Sequence, residues 1–98
     1  KVFDSLSDTK TSQGIILIAE KPETGKEKID KFFAEDFHKF PLVILLHQIN
    51  NPSNLGAILR TAKAVGIKSV ILTKHSADVF SAKSLRAAMG ASFRLNFW

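Results

Sequence analysis

The chain has 98 residues, enough for one small domain, and 45% of them are hydrophobic, which is ordinary for a globular protein. Its formal net charge is +5, but residues 1–50 carry seven Lys/Arg and eight Asp/Glu, whereas residues 51–98 carry seven Lys/Arg and one Asp. The absence of cysteine excludes disulfides and thiolate metal sites, and no apolar run approaches the ~18 residues of a membrane-spanning helix.

The uneven charge favours a polyanionic partner such as a nucleic acid, and a basic surface that meets only solvent is the alternative. The absence of cysteine fits a reducing compartment, so we expect a cytoplasmic protein. Because no long apolar run is present, we expect no membrane partner. No apolar segment of a secretory signal follows Lys1. Because Lys1 is not an initiator methionine, we expect a chain that has been processed or trimmed, or that is a fragment.

The first 41 residues predict a linker, a strand and a helix. Residues 1–13 are polar and are expected to form a linker or a loop that leads into the domain. Residues 15–19 are continuously apolar, which predicts a first strand buried on both faces of a parallel sheet. Residues 26–40 predict a helix that Pro41 ends. Its apolar positions, whose spacing indicates core packing rather than base stacking, are Ile29, Phe32, Phe33, Phe37 and Phe40.

A second apolar run, residues 42–46, predicts a buried strand that leads into a polar turn. Pro52 biases Asn51 towards extended geometry and thereby ends the strand. Asn51 and Ser53 are both candidate N-caps of the helix that follows, and Pro52 suits its first position if Asn51 is the cap. An apolar stripe then predicts a helix that Gly66 ends. The stripe consists of Leu55, Ile58, Leu59, Ala62 and Val65.

Three further residues of this predicted helix are informative about function. Gly56 costs about 1 kcal/mol of helix stability relative to alanine, which indicates that another backbone or a ligand approaches it closely. Arg60 and Lys63 are three positions apart, on a face that is free to meet an anion.

The rest of the chain predicts a strand at residues 67–73, a polar loop, a short helix at residues 80–89 and a last strand at residues 93–97. The loop contains Lys74, His75, Ser76 and Asp78. In the short helix, Ser81 is the expected cap and Gly90 ends the helix. The residues expected to point inward are Leu85, Ala88 and Met89.

The element order βαβαβαβ predicts an α/β fold, in which helices flank a parallel sheet and the crossovers are right-handed. Ligands of such sheets bind the loops at the carboxyl ends of the strands. The turn after residues 42–46 and the loop at residues 73–78 both follow strands, so we expect the functional site there.

The same turn resembles the first motif of the SpoU (TrmH-like) RNA 2′-O-methyltransferases of the SPOUT superfamily. The residues that carry this resemblance are Asn51-Pro52-Ser53-Asn54-Leu55-Gly56 and Arg60-Thr61-Ala62. Weaker similarity to later and earlier family segments is found in Ala64-Val65-Gly66, Ser69-Val70-Ile71-Leu72, Ser84-Leu85-Arg86-Ala87-Ala88-Met89-Gly90-Ala91, Leu6-Ser7-Asp8-Thr9 and Gln13-Gly14-Ile15. The family's second and third motifs are not reached before Trp98.

The resemblance implies that residues 14–98 are the N-terminal portion of a SpoU-type domain, with a Rossmann-like SPOUT fold that lacks the C-terminal trefoil-knot part. The whole domain would methylate a ribose 2′-OH in rRNA or tRNA, would use S-adenosylmethionine and would work as a homodimer. The family binds this cofactor chiefly with its second and third motifs, so no residue here is assigned to it. We expect the cofactor site beyond Trp98 and this chain alone to be inactive.

The resemblance also assigns residues to the reaction. Arg60 matches the catalytic and RNA-contacting arginine, and its guanidinium can stabilise a developing alkoxide and hold a phosphate. Asn54 matches an asparagine that positions the substrate or the loop; a turn or capping role is the alternative. Lys63, Lys83 and Arg86 are candidate phosphate contacts, and a solvated surface is their alternative.

Other chemistries find no support in the sequence. It contains no G-x-G-x-x-G after a strand and no P-loop. His38, His47 and His75 do not have the spacing of metal ligands, so we expect no metal. Two further readings stay open: a non-catalytic RNA-binding or assembly module, and a structural fragment with neither activity.

Overall fold

The computed structural model describes residues 14–35 and 42–98. The predicted linker, the last residues of the first predicted helix with Phe37, His38 and Phe40, and Pro41 lie outside the described residues. The elements in chain order are α1 (Lys26–Glu35), β1 (Val43–Leu46), α2 (Pro52–Ala64), β2 (Ser69–Leu72), α3 (Ala82–Ala88), a 3₁₀ turn (Ala91–Phe93) and β3 (Asn96–Phe97).

The three strands of the described part form one parallel sheet in the order β1-β2-β3. Val43 pairs with Ser69 at one end of β1 and Leu46 with Leu72 at the other. Ser69 also pairs with Asn96 of β3. The strands are parallel because a helix separates each from the next, which returns the chain to the same edge of the sheet. The predicted α/β class, a parallel sheet with flanking helices, is therefore confirmed.

The predicted first strand is wrong. Residues 15–19 make no strand, and Ile15, Leu17 and Ile18 are 84%, 88% and 83% exposed. A strand needs a partner as well as apolar residues, and Gly25 takes the position beside β3, where its N–H donates to the Phe97 carbonyl at 2.8 Å. The apolar run therefore indicated hydrophobic character but not pairing.

The core lies between α2 and the sheet. Leu55, Leu59 and Ala62 of the predicted stripe are buried, Ile58 is half-buried and Val65 is exposed, because Val65 is the C-cap beyond the last turn. The other buried members of the cluster are Leu46, Val70, Val79, Ala88, Ala91, Leu95 and Phe97. The helical spacing thus predicted the buried face of α2.

The two ends of α2 use the residues that the sequence indicated. The Asn51 side chain accepts a hydrogen bond from Asn54 N at 3.0 Å, so Asn51 rather than Ser53 is the N-cap. At the other end Gly66 has φ +92°, and the Gly66 and Ile67 N–H groups donate to the Lys63 and Ala62 carbonyls. This is a Schellman motif, which satisfies the last carbonyls of the helix with backbone donors.

Several smaller predictions need correction. Met89 points outward, 74% exposed, because it is the left-handed C-cap of α3 at φ +53°; Ser84 is buried on this helix. The last strand is shorter than predicted because Ala91–Phe93 form a 3₁₀ turn. Phe33 of α1 is exposed, whereas Ile29 and Phe32 are buried. The Ser81 cap of α3 is confirmed by its hydrogen bond from Ser84 N.

Candidate functional site

The turn that carries the first motif lies at the carboxyl edge of the sheet. We call residues 47–51, which connect β1 to α2, the motif loop. The loop after β2 lies beside it, because Thr73 N donates to the Leu46 carbonyl at 3.0 Å and Ala77 N donates to the Ile49 carbonyl at 2.8 Å. The two loops that were expected to contribute to the site therefore meet at one edge.

The Thr73 hydroxyl fixes the start of the motif loop. It accepts a hydrogen bond from Gln48 N at 3.0 Å and lies 3.1 Å from His47 Nδ1. Gln48 has φ +50°, a left-handed conformation that costs a non-glycine residue about 1–2 kcal/mol. The hydrogen bond to Thr73 helps to offset this cost. Sequence reasoning missed this contact, because nothing local links residue 73 to residue 48.

Asn54 lines a cavity of about 400 Å³ beside the motif loop. We call it the amide cavity, because all four of its polar side chains are carboxamides. Its lining residues are Gln48, Ile49, Asn50, Asn51, Asn54, Ala57 and Ile58. The backbone of Asn54 serves the cap of α2, but within the described part its side-chain amide makes no hydrogen bond. That amide is therefore available to a ligand in the cavity.

Arg60 does not line the amide cavity. It lies six residues after Asn54, which at 3.6 residues per turn places it about 120° around α2. The Arg60 side chain is exposed and forms neither an ion pair nor a hydrogen bond with any described residue. The structure thus presents both predicted catalytic residues to solvent from one helix but does not bring them into one cavity.

α3 approaches α2 closely at Gly56. A Cβ atom at this position would lie 2.4 Å from the Ser84 carbonyl oxygen, 2.5 Å from Ala87 Cβ and 2.9 Å from Ala88 N. The close approach that the glycine indicated is therefore made by the α3 backbone. The buried Ser84 hydroxyl donates to the Pro52 carbonyl at 3.1 Å, which holds α3 against the first turn of α2.

The candidate phosphate contacts fall into two places. Lys83 and Arg86 are exposed on α3, and Lys83 lies one turn before Ala87, beside the contact with α2. Lys63 lies at the far end of α2, in a groove with Lys68 and Arg94. The structure therefore separates Lys63 from the two basic residues of α3.

A second cavity, of about 390 Å³, lies at the carboxyl edge between the loop after β2 and residues 21–25. Lys21, Lys74 and His75 are among its lining residues. The predicted polar loop thus forms one wall of this cavity. The hydrogen bond that Lys26 donates to the Asp30 carboxylate raises the pKa of that lysine, but both residues lie on α1 and line neither cavity.

The described residues contain neither a metal site nor a membrane-spanning helix. No group of three His, Asp or Glu side chains there could hold a metal ion. The helices of residues 14–35 and 42–98 are all too short or too polar to cross a membrane.

Comparison with known proteins identifies the family of this chain. Residues 41–98 match the SpoU rRNA Methylase family, and the chain belongs to that family. It is 42% identical over 89 residues to human "rRNA methyltransferase 3, mitochondrial", covering 91% of this chain and 21% of the relative. It is 32% identical over 93 residues to the Bacillus subtilis "23S rRNA (guanosine(2553)-2'-O)-methyltransferase RlmP", covering 95% of this chain and 33% of the relative. The chain thus spans a fifth to a third of such relatives.

Solved structures show the same relationship. The SpoU methyltransferase AviRb from Streptomyces viridochromogenes, in complex with the cofactor AdoMet, is 38% identical with a TM-score of 0.53. That similarity covers 57% of this chain and 21% of AviRb. An rRNA methyltransferase from Sinorhizobium meliloti is 38% identical with a TM-score of 0.54, covering 56% and 21% of the two chains. The parallel sheet with its flanking helices therefore matches the N-terminal part of the SPOUT methyltransferase fold.

Proposed function

We propose that the protein to which this chain belongs methylates a ribose 2′-OH in rRNA or tRNA and uses S-adenosylmethionine as the methyl donor. Residues 14–98 would supply the N-terminal portion of its catalytic domain. The observation that carries the proposal is the first motif at the carboxyl end of β1. Asn51 caps α2 there, and α2 presents Asn54 and Arg60. Family membership and the names of the relatives support it.

In this proposal Arg60 and Asn54 each have a defined task. The 2′-oxygen would form its bond to the methyl carbon while its proton passes to water and the donor's sulfur leaves with the electron pair of the broken carbon–sulfur bond. The Arg60 guanidinium stabilises the negative charge that develops on that oxygen and holds the neighbouring phosphate through paired N–H donors. The Asn54 amide, in the amide cavity, positions the substrate or the motif loop from a place that Arg60 does not line.

S-adenosylmethionine supplies the methyl group when it is bound. The amide cavity offers neutral hydrogen-bond donors and acceptors. No described residue is assigned to the cofactor. We propose that the family's second and third motifs hold most of it. We also propose that the whole protein is a homodimer, because the family's knotted part forms much of the subunit interface.

Arg60→Ala tests the proposed chemistry in the protein that carries this chain. Because Arg60 is exposed and unpaired among the described residues, the variant should fold normally and lose methyl transfer by at least a hundredfold. Incorporation of labelled methyl groups into RNA measures the loss, and the melting temperature checks the fold. Lys31→Ala, an exposed change on α1, serves as the control. Near-normal turnover of the Arg60 variant would contradict its role.

A non-catalytic RNA-binding module is the second candidate, because the acid-poor half of the chain would serve either function. Such a module binds RNA in a salt-dependent way and gives no heat on titration with S-adenosylmethionine. Calorimetry of the protein with the cofactor therefore distinguishes the two candidates. The lack of cysteine fits the cytoplasm, whereas the human relative is named as a mitochondrial protein. Cell fractionation would determine where the protein is located.

A further inference from the structure

Three basic side chains converge at the amino edge of the sheet, opposite the motif loop. They line a groove of about 330 Å³, here called the basic groove, whose lining residues are Lys63, Gly66, Ile67, Lys68 and Arg94. Three of these five residues are cationic and none is acidic. The basic groove is thus a concentrated positive site that lies apart from Arg60 and Asn54.

The fold brings these cations together from three separate parts of the chain. Lys63 is in the last turn of α2, Lys68 directly precedes β2, and Arg94 follows the 3₁₀ turn that leads to β3. The Asn96 N–H donates to the Lys68 carbonyl at 2.8 Å, which places the amino ends of β2 and β3 side by side. Because strands of a parallel sheet start at the same edge, the residues that precede them meet there.

Support of α2 does not explain the cations. A basic residue near the end of a helix can bind its last carbonyls, but here the Gly66 and Ile67 N–H groups already occupy two of them. Lys63 and Arg94 are exposed and have no ion-pair partner within the described chain. The positive charges of Lys63 and Arg94 repel each other in this small groove, and an anion bound between them would offset that repulsion.

We infer that the basic groove binds a phosphate of the RNA backbone, at a distance from the methylated ribose. This inference rests on the proposed function for its RNA partner. A phosphate contact adds affinity and fixes the register of the RNA without selecting a base. Lys63, first grouped with Lys83 and Arg86, therefore acts with Lys68 and Arg94 instead.

The test is a salt titration of RNA binding by the protein that carries this chain. An rRNA transcript and a tRNA are bound separately on filters, and log K is plotted against log salt concentration. The double variant Lys63→Gln/Arg94→Gln should flatten the slope by about 1 for each cation removed. The matched control, Lys28→Gln/Lys31→Gln on α1, removes the same charge from another exposed surface and should leave the slope unchanged.

An unchanged slope in the groove variant, or an equal change in the α1 control, overturns the inference, as does a wild-type protein that binds neither RNA. Melting temperatures of both variants establish that they fold. Methyl transfer separates this inference from the proposed function. The groove variant should raise KM for RNA about tenfold and leave kcat unchanged, whereas absence of methyl transfer in the wild type would overturn only the proposed function.

Discussion

At the scale of single residues, two side chains and one missing side chain determine the shape of the site. The Thr73 hydroxyl holds the motif loop, the Ser84 hydroxyl holds α3 to the first turn of α2, and Gly56 leaves room for that contact. None of the three is a predicted catalytic residue. Arg60 and Asn54 depend on them, because the position of each is set by the start and the packing of α2.

Thr73→Val should loosen the motif loop while it keeps the shape of the side chain. Gln48 N then loses its hydrogen-bond acceptor, which should destabilise the left-handed conformation of Gln48 by about 1 kcal/mol. Hydrogen exchange of the Gln48 amide should become faster in this variant. Thr73→Ser retains the hydroxyl and should exchange like the wild type; equal protection in all three proteins would contradict the assignment.

Gly56→Ala sets two effects against each other. Alanine improves helix propensity by about 1 kcal/mol, but its Cβ would lie 2.4 Å from a carbonyl oxygen, a clash that backbone movement alone can relieve. Overpacking of this kind costs about 1–3 kcal/mol, so we expect net destabilisation in urea unfolding. Arg60→Ala, at an exposed position of the same helix, should change stability by less than about 0.5 kcal/mol, because arginine is close to alanine in helix propensity.

At the scale of elements, the helix ends and the parallel sheet followed from the sequence, whereas the first predicted strand did not form. Asn51, Pro52, Gly66 and Ser81 act on backbone groups a few residues away, so their residue types carry the information. Pairing depends on distant residues, which explains why residues 15–19 were wrongly predicted as a strand. The Thr73 contact and the basic groove escaped sequence reasoning for the same reason, since their members are far apart in the chain.

Asn51→Ala should weaken α2 at the end nearest the site. The cap bond to Asn54 N is lost, which costs about 1 kcal/mol of stability. Asn51→Asp keeps an oxygen acceptor and adds a negative charge at the helix N-terminus, so it should retain stability. Urea unfolding midpoints measure both variants. The Asn50→Ala control changes an exposed loop residue, and a loss equal to that of Asn51→Ala would refute the capping argument.

At the scale of the whole molecule, hydrophobic residues differ widely in how much they contribute to stability. Ile29→Ala should lower the free energy of unfolding by about 2–5 kcal/mol, because Ile29 is only 1% exposed on the buried face of α1. Leu17→Ala should cost much less, since most of that side chain is already in water. Thermal unfolding of the two variants measures the difference. A similar loss for both would show that residues 15–19 are covered in the complete protein.

The contact at Gly56 also limits how this family can change over time. Replacing Ala87 by glycine would remove one of the atoms that crowd a new Cβ, but the Ser84 carbonyl oxygen would remain, because no substitution deletes a backbone atom. A lineage cannot therefore exchange this glycine by a single compensating step on α3. We expect descendants to keep the glycine or to shift the whole of α3, and with it Lys83 and Arg86.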